Sequence, residues 1–257
     1  MPVPSYARAS GKVKTVSNAI RLLGIDQVRL TCNSLVCFGH FSGRKQDLRL
    51  KEESIASFIA GLAARHLALR MKSLDAEEVF LAGMLFNLGK MLALFYFPED
   101  FAEIEDLVSG GATPNEASRS VLGISLAELG HGLGTAWGLP NIVLYCMRDP
   151  LSDKEPAEQV ELRAMVHFAN LLTGVSPDRD PAGEALATFA LRLRPRILLD
   201  PDSIHALLQA AVEKFAEFAP VLEVNPQKSE CLQRLKGWLA TNEVHRNSVA
   251  EEALDVT

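Results

Sequence analysis

A chain of 257 residues, 48% hydrophobic and 23% charged, has the balance of a folded globular protein and not of a disordered one. Its 26 basic and 32 acidic residues leave a formal charge of −6, and no run of Lys and Arg is dense enough to follow a phosphate backbone, which argues against nucleic acid as a direct partner. Cys32, Cys37, Cys146 and Cys231 form no C-x-x-C pair, and Met1 to Ser10 holds no basic region followed by an apolar stretch, so reduced thiols in a cytoplasm are expected.

Helical periodicity dominates and strict alternation is missing, which predicts an all-α, irregular multi-helix bundle. Residues 1–14 hold two prolines and a glycine and read as an irregular segment. Helices carrying Ile20–Leu23 and Val28–Leu35 follow. Ile55, Phe58, Ile59, Leu62 and Leu69 then form one apolar stripe from about Glu52 to Met71. Asp75 with Glu78 starts a helix carrying Phe80, Leu81, Met84, Leu85 and Leu88. Val79–Phe97 is apolar enough to resemble a membrane span, but Asn87 and Lys90 sit in its middle. A Lys there costs about 2.5–3.5 kcal/mol on insertion scales, so a central helix buried in a bundle is expected, with no membrane.

Thr113, Pro114 and Glu116 open a short helix that Gly123 stops. Ser125 with Glu128 opens the next, and Trp137-Gly138-Leu139-Pro140 closes it. A helix from about Glu158 to Leu172 carries Val160, Met165, Val166 and Phe168. Thr173–Gly183 reads as a loop. The basic cluster Arg192, Arg194 and Arg196, broken by Pro195, reads as a solvated helix end. Asp202 is expected to cap a helix carrying Ile204, Leu207, Leu208, Ala211, Val212, Phe215 and Phe218. A last helix, about Ser229 to Leu239, carries Cys231, Leu232, Leu235 and Trp238, and the acidic tail beyond Ala250 is expected to fray. The chain divides into 1–14, a helical domain 15–222, and a C-terminal helix and tail 223–257.

Three ordered motifs carry chemical information. Ala82-Gly83-Met84-Leu85-Phe86-Asn87-Leu88-Gly89-Lys90 resembles the A-G-L-L-H-D-I-G-K core of the HD superfamily of metal phosphohydrolases. Gly123-Ile124-Ser125-Leu126-Ala127-Glu128-Leu129-Gly130, followed by Trp137-Gly138-Leu139-Pro140, is similar to the G-x-S-H-x-E-x-G…W-x-L-P block of its HDOD branch, the HD-related output domains of bacterial signalling proteins. Val16-Ser17-Asn18-Ala19-Ile20-Arg21-Leu22-Leu23-Gly24 resembles that branch's S-x-x-x-A-I-x-x-L-G helix. The resemblance covers roughly Ser10 to Ala219 and implies an all-α bundle.

Against the enzyme pattern, Phe86 stands where the resemblance implies a metal-binding His, and a phenyl ring has no lone pair to give. Asn87 stands for the adjacent Asp, and Leu126 for a His. Asn170 replaces a late Asp, and the early His position falls near Glu53 or Ser54. Arg148 lies where later histidines are common. Hard and borderline cations favour anionic oxygen, and these substitutions remove it. His40, His66, His131, His167, His205 and His245 show no H-x-x-x-H pair. No metal, cofactor or catalytic residue is therefore expected. The candidates for a degenerate pocket are Glu53, Phe86, Asn87, Lys90, Leu126, Arg148 and Asn170, with Asn87 close to Asn170 and Lys90 at the rim.

These readings predict a non-catalytic regulatory or adaptor domain that binds a protein in trans. The resemblance implies a response regulator, a kinase or a cyclic-di-GMP enzyme as that partner. The alternatives are a remnant HD-type phosphohydrolase and a small-ligand (nucleotide) sensor using the pocket. HDOD domains carry several helices before the S-x-x-x-A-I-x-x-L-G segment, and about fifteen residues precede it here. Ile20, Leu23, Leu30, Leu35 and Val36 are thus expected to form an apolar surface, covered in a homodimer or by a partner.

Overall fold

The computed structural model describes residues 48–71, 75–148, 157–175, 190, 191, 193 and 198–255, with side chains as far as Asn242. The expected surface of Ile20, Leu23, Leu30, Leu35 and Val36 lies outside the described residues, as do the 1–14 segment, the Arg192, Arg194 and Arg196 cluster and most of the Thr173–Gly183 loop. Among the described residues every regular element is a helix.

Helix α1, Leu48–Met71, is the axis of the bundle. Ile55, Phe58, Ile59 and Leu62 are buried, and so are Ala60, Ala63, Ala64 and Leu67, so its middle is apolar nearly all round. Leu69, placed in that stripe by its spacing, is instead 53% exposed, because with Arg70 it lies on the outer side of a turn whose Ala68 is buried and whose Met71 packs on the core.

Helix α2, Ala76–Leu85, is capped by Asp75, whose carboxylate accepts from the backbone N–H groups of Glu77 and Glu78. It crosses α1 at two glycines. A Cβ on Gly83 would lie 3.0 Å from both the Gly61 Cα and the Ala64 Cβ, so the crossing needs bare backbone. Below it, Phe58 of α1 meets Phe80 of α2 edge-on with ring centroids 5.5 Å apart. Phe215 and Phe218 of α9 (Pro201–Phe218) close the same aromatic cluster at 5.5 and 5.3 Å.

The apolar stretch expected as one central helix is two. It breaks at Phe86-Asn87, and α3 runs Leu88–Tyr96. Asn87 takes φ −92° and ψ 23°, and its side chain makes no cap but reaches across to another helix. Ala76–Tyr96 is long and apolar enough to cross a bilayer by length and composition, and 67% of its most apolar window is buried inside the bundle.

Helix α4, Pro98–Ser109, has no counterpart in the sequence reading; it opens on Pro98 with Glu99 and Asp100 in its first turn and buries Phe101 and Ile104. Helices α5, Pro114–Leu122, and α6, Leu126–Ala136, both start in complete capping boxes, Thr113 with Glu116 and Ser125 with Glu128. Gly123 and Gly138 turn the chain at φ +77° and +71°, where only glycine is at ease. The short α7, Asn141–Cys146, was likewise not foreseen.

Helix α8 spans Ala157–Leu172. The cap of α9 is Asp200 and not Asp202: its carboxylate accepts from the Ser203 N–H at 2.7 Å, Pro201 takes the first helical position, and Asp202 sits in the first turn. The last helix, α10, runs Glu230–Asp255, so it continues through the stretch beyond Ala250 that was expected to fray. Its start is pinned to α1. Glu52 accepts from the Ser229 hydroxyl and the Cys231 N–H, both at 2.8 Å.

Candidate functional site

The end of α2, the Phe86-Asn87 turn, the start of α3 and the last turn of α8 meet beside α1. Asn170 is the centre of this junction. Its Nδ2 donates to the Gly83 carbonyl at 3.1 Å and to the Val166 carbonyl at 2.9 Å, and its Oδ1 accepts from Asn87 Nδ2 at 3.2 Å. Two carbonyls can only accept, so the amide nitrogen must face them and the orientation is fixed. One side chain thereby ties α8 to α2 and to the turn after it. Thr173 Oγ1 donates to the Asn170 carbonyl at 2.8 Å and holds the same turn from the other side.

Phe86 packs edge-on against His167, with ring centroids 4.5 Å apart. Lys90, in the first turn of α3, donates to Glu53 of α1 at 2.5 Å; the Glu53 side chain is 13% exposed and that of Lys90 39%. The position near which the family pattern has an early His thus holds an anion already paired within the chain.

Phe86, Asn87, Lys90, Leu126 and Arg148 line one cleft of about 840 Å³. Glu53 and Asn170 stand behind that wall, each bonded to a residue that lines it. Leu126 is brought in by a second backbone crossing. A Cβ on Gly89 would fall 1.8 Å from the Leu126 carbonyl oxygen and 2.8 Å from the Gly130 nitrogen, so α3 and α6 touch through Gly89 and Gly130. The backbone at Arg148 is held by Arg163, whose Nη2 donates to the Arg148 carbonyl at 2.5 Å, while the Arg148 side chain is exposed.

The opposite wall comes from α4, through Phe101, Ile104 and Val108, and from Thr113 at the start of α5. Sequence reasoning missed it. The signal was available in Pro98 ahead of two acidic residues and in the i, i+3, i+7 recurrence of Phe101, Ile104 and Val108.

A metal centre of the HD kind does not fit these residues. The Asn170 oxygen already accepts a hydrogen bond and its nitrogen faces two carbonyls, while Phe86 offers no donor. The carboxylate behind the wall, Glu53, is held by the Lys90 ammonium. Among the described residues no group of three or more His, Cys, Asp or Glu side chains converges as a metal site would require. Burial pushes the thiols of Cys146 and Cys231 up to about 12, which keeps both protonated and unreactive at neutral pH.

A family model for the HDOD domain matches residues 4–149. Among solved structures, the chain is similar to a protein named as a putative phosphohydrolase from Shewanella amazonensis SB2B, with a TM-score of 0.61 and 21% identity, over 85% of this chain and 79% of that one. It is also similar to an HDOD domain protein of unknown function from Geobacter sulfurreducens, with a TM-score of 0.52 and 19% identity, over 98% of this chain and 76% of that one. At such identities the likeness is one of fold. No curated protein matches.

Proposed function

Since the chain belongs to the HDOD domain family, whose members are related to the HD phosphohydrolases, we propose that it is a non-catalytic regulatory or adaptor domain of bacterial signal transduction, working in the cytoplasm by binding another protein. The observation that carries this reading is the bonding of Asn170 to Asn87, Gly83 and Val166. Metal-assisted phosphoester hydrolysis needs anionic or imidazole donors around an open coordination position, to bind the metal and lower the pKa of its water. In this chain the corresponding amides cross-link helices, and the neighbouring ammonium and carboxylate neutralise each other. The partner in trans is a response regulator, a kinase or a cyclic-di-GMP enzyme, as in the family's signalling context.

Elemental analysis of the purified protein, with a phosphodiester hydrolysis assay in added Mn²⁺, tests the non-catalytic half. Substoichiometric Zn, Fe, Mn and Mg and no turnover are expected. One or more metals per chain, lost in Asn87→Ala, would establish the remnant hydrolase instead. Affinity capture followed by binding measurements with each purified candidate tests the adaptor half, and failure of all three partner classes would remove it.

A small-ligand reading is favoured by one separate feature, the cleft itself.

A further inference from the structure

The cleft has the volume of a site for a drug-sized molecule, and its charges are unevenly settled. Two of its charged residues are closed off by partners within the chain. Lys90 is paired with Glu53, and Glu105 with Arg49 at 2.7 Å. Arg148 is different, since among the described residues no carboxylate pairs with its exposed guanidinium. Among the described residues that line the cleft, Arg148 is thus the one cation without an opposite charge beside it. The rest of the lining is largely apolar, with Ile104 and Val108 on one wall and Leu126, Met147 and Phe86 among the other lining residues.

The start of α5 also borders the cleft, and helix N-termini attract phosphate. This one is already served. The Glu116 carboxylate accepts from the Thr113 N–H at 3.0 Å and from its hydroxyl at 2.7 Å, Thr113 Oγ1 in turn accepts from the Glu116 N–H, and Pro114 has no N–H. A dianionic phosphate would meet a carboxylate there and, among the described residues, a single unpaired cation elsewhere. We propose that the cleft binds a small amphiphilic monoanion, an aliphatic or aromatic carboxylate, with its apolar body between α4 and α6 and its head group on Arg148.

The proposal goes beyond protein binding and fails separately from it: metal in the protein would sink the non-catalytic reading, whereas the titrations below decide the cleft. The whole chain is titrated with 8-anilinonaphthalene-1-sulfonate, an aryl body bearing one anionic group, and with N-phenyl-1-naphthylamine, the same rings without it. Saturable binding of the sulfonate at one site per chain is expected, displaced by decanoate and not by inorganic phosphate or AMP. Arg148→Gln, at an exposed side chain, should weaken sulfonate binding about tenfold while leaving the neutral probe within about twofold. Ala127→Trp, filling the cleft from α6, should abolish both. Several results would each overturn the proposal: no saturable binding, sulfonate binding unchanged in Ala127→Trp or Arg148→Gln, or displacement by AMP in preference to decanoate.

Discussion

Two crossings a turn apart treat the same motif differently. Where α3 meets α6, Gly89 and Gly130 bring backbone against backbone, and a methyl group at Gly89 would land inside the Leu126 carbonyl. Where α2 meets α8, contact is made by side chains, with Asn170 bonded to Gly83 and Asn87. The first crossing keeps what the HD-type motif shows at those positions, and the second has exchanged it. A motif of this kind contains two sets of letters, one for packing and one for chemistry. Chain approach has no substitute for glycine, but a ligand position can be refilled by any side chain that satisfies its neighbours.

Perturbing the two crossings should separate them. Gly89→Ala is expected to have the largest effect, about 3 kcal/mol or more, because the atoms it meets are backbone and cannot rotate away. Urea unfolding reads it, and a loss under 1 kcal/mol would mean that α3 and α6 can slide apart cheaply. Asn170→Ala should cost about 1–3 kcal/mol by removing the cross-link and leaving the Gly83 carbonyl without its donor. Asn170→Asp should cost at least as much at pH 7, since it turns an anion toward two carbonyls. Its deficit should shrink as the pH is lowered toward 4, where the protonated acid regains a donor; a deficit that grew on acidification would show the carboxylate facing elsewhere.

The capping box beside the first crossing should respond more weakly. Ser125→Ala is expected to cost about 1 kcal/mol in unfolding free energy. The Glu128 carboxylate is held below its usual range by the Ser125 N–H and then by Arg119, and that of Glu116 by the Thr113 hydroxyl and N–H. Carboxylates lowered in the folded state stabilise it above their unfolded pKa, and this is lost as pH falls through the folded value. Melting temperature should therefore drop on acidification below about pH 4.5, less steeply in Glu128→Gln. Smallest of all, Lys90→Met should shift stability by about 0.5 kcal/mol, because its ammonium is partly exposed and screened. A salt-independent loss several times larger would make the Lys90–Glu53 pair part of the cross-link and blur the contrast.

Local signals were legible in the chain and long-range ones less so. The boxes at Thr113 and Ser125 are complete within four residues, so the sequence alone places α5 and α6. At α9 two aspartates flank Pro201, and the one before the proline is the cap, since proline favours the first helical position. The break at Phe86-Asn87 leaves no local trace, because neither residue stops a helix by itself; it follows from a bond to Asn170, 83 positions on. The site was legible on its α2, α3 and α8 side, where motif residues stand. Its α4 wall carries no motif, only a helix start at Pro98 with Glu99 and Asp100 and a three-residue apolar recurrence.

The anchoring of α10 on Glu52 has a consequence for synthesis. The carboxylate in the second turn of α1 finds its partners, Ser229 and Cys231, 177 and 179 positions later. At about 5–20 residues per second, a ribosome needs roughly ten to forty seconds to deliver them. Through that interval the helix that buries more residues than any other described one is outside the ribosome without the last element that packs on it. The nascent chain should therefore gain protease resistance late and in one step, as α10 emerges from the exit tunnel.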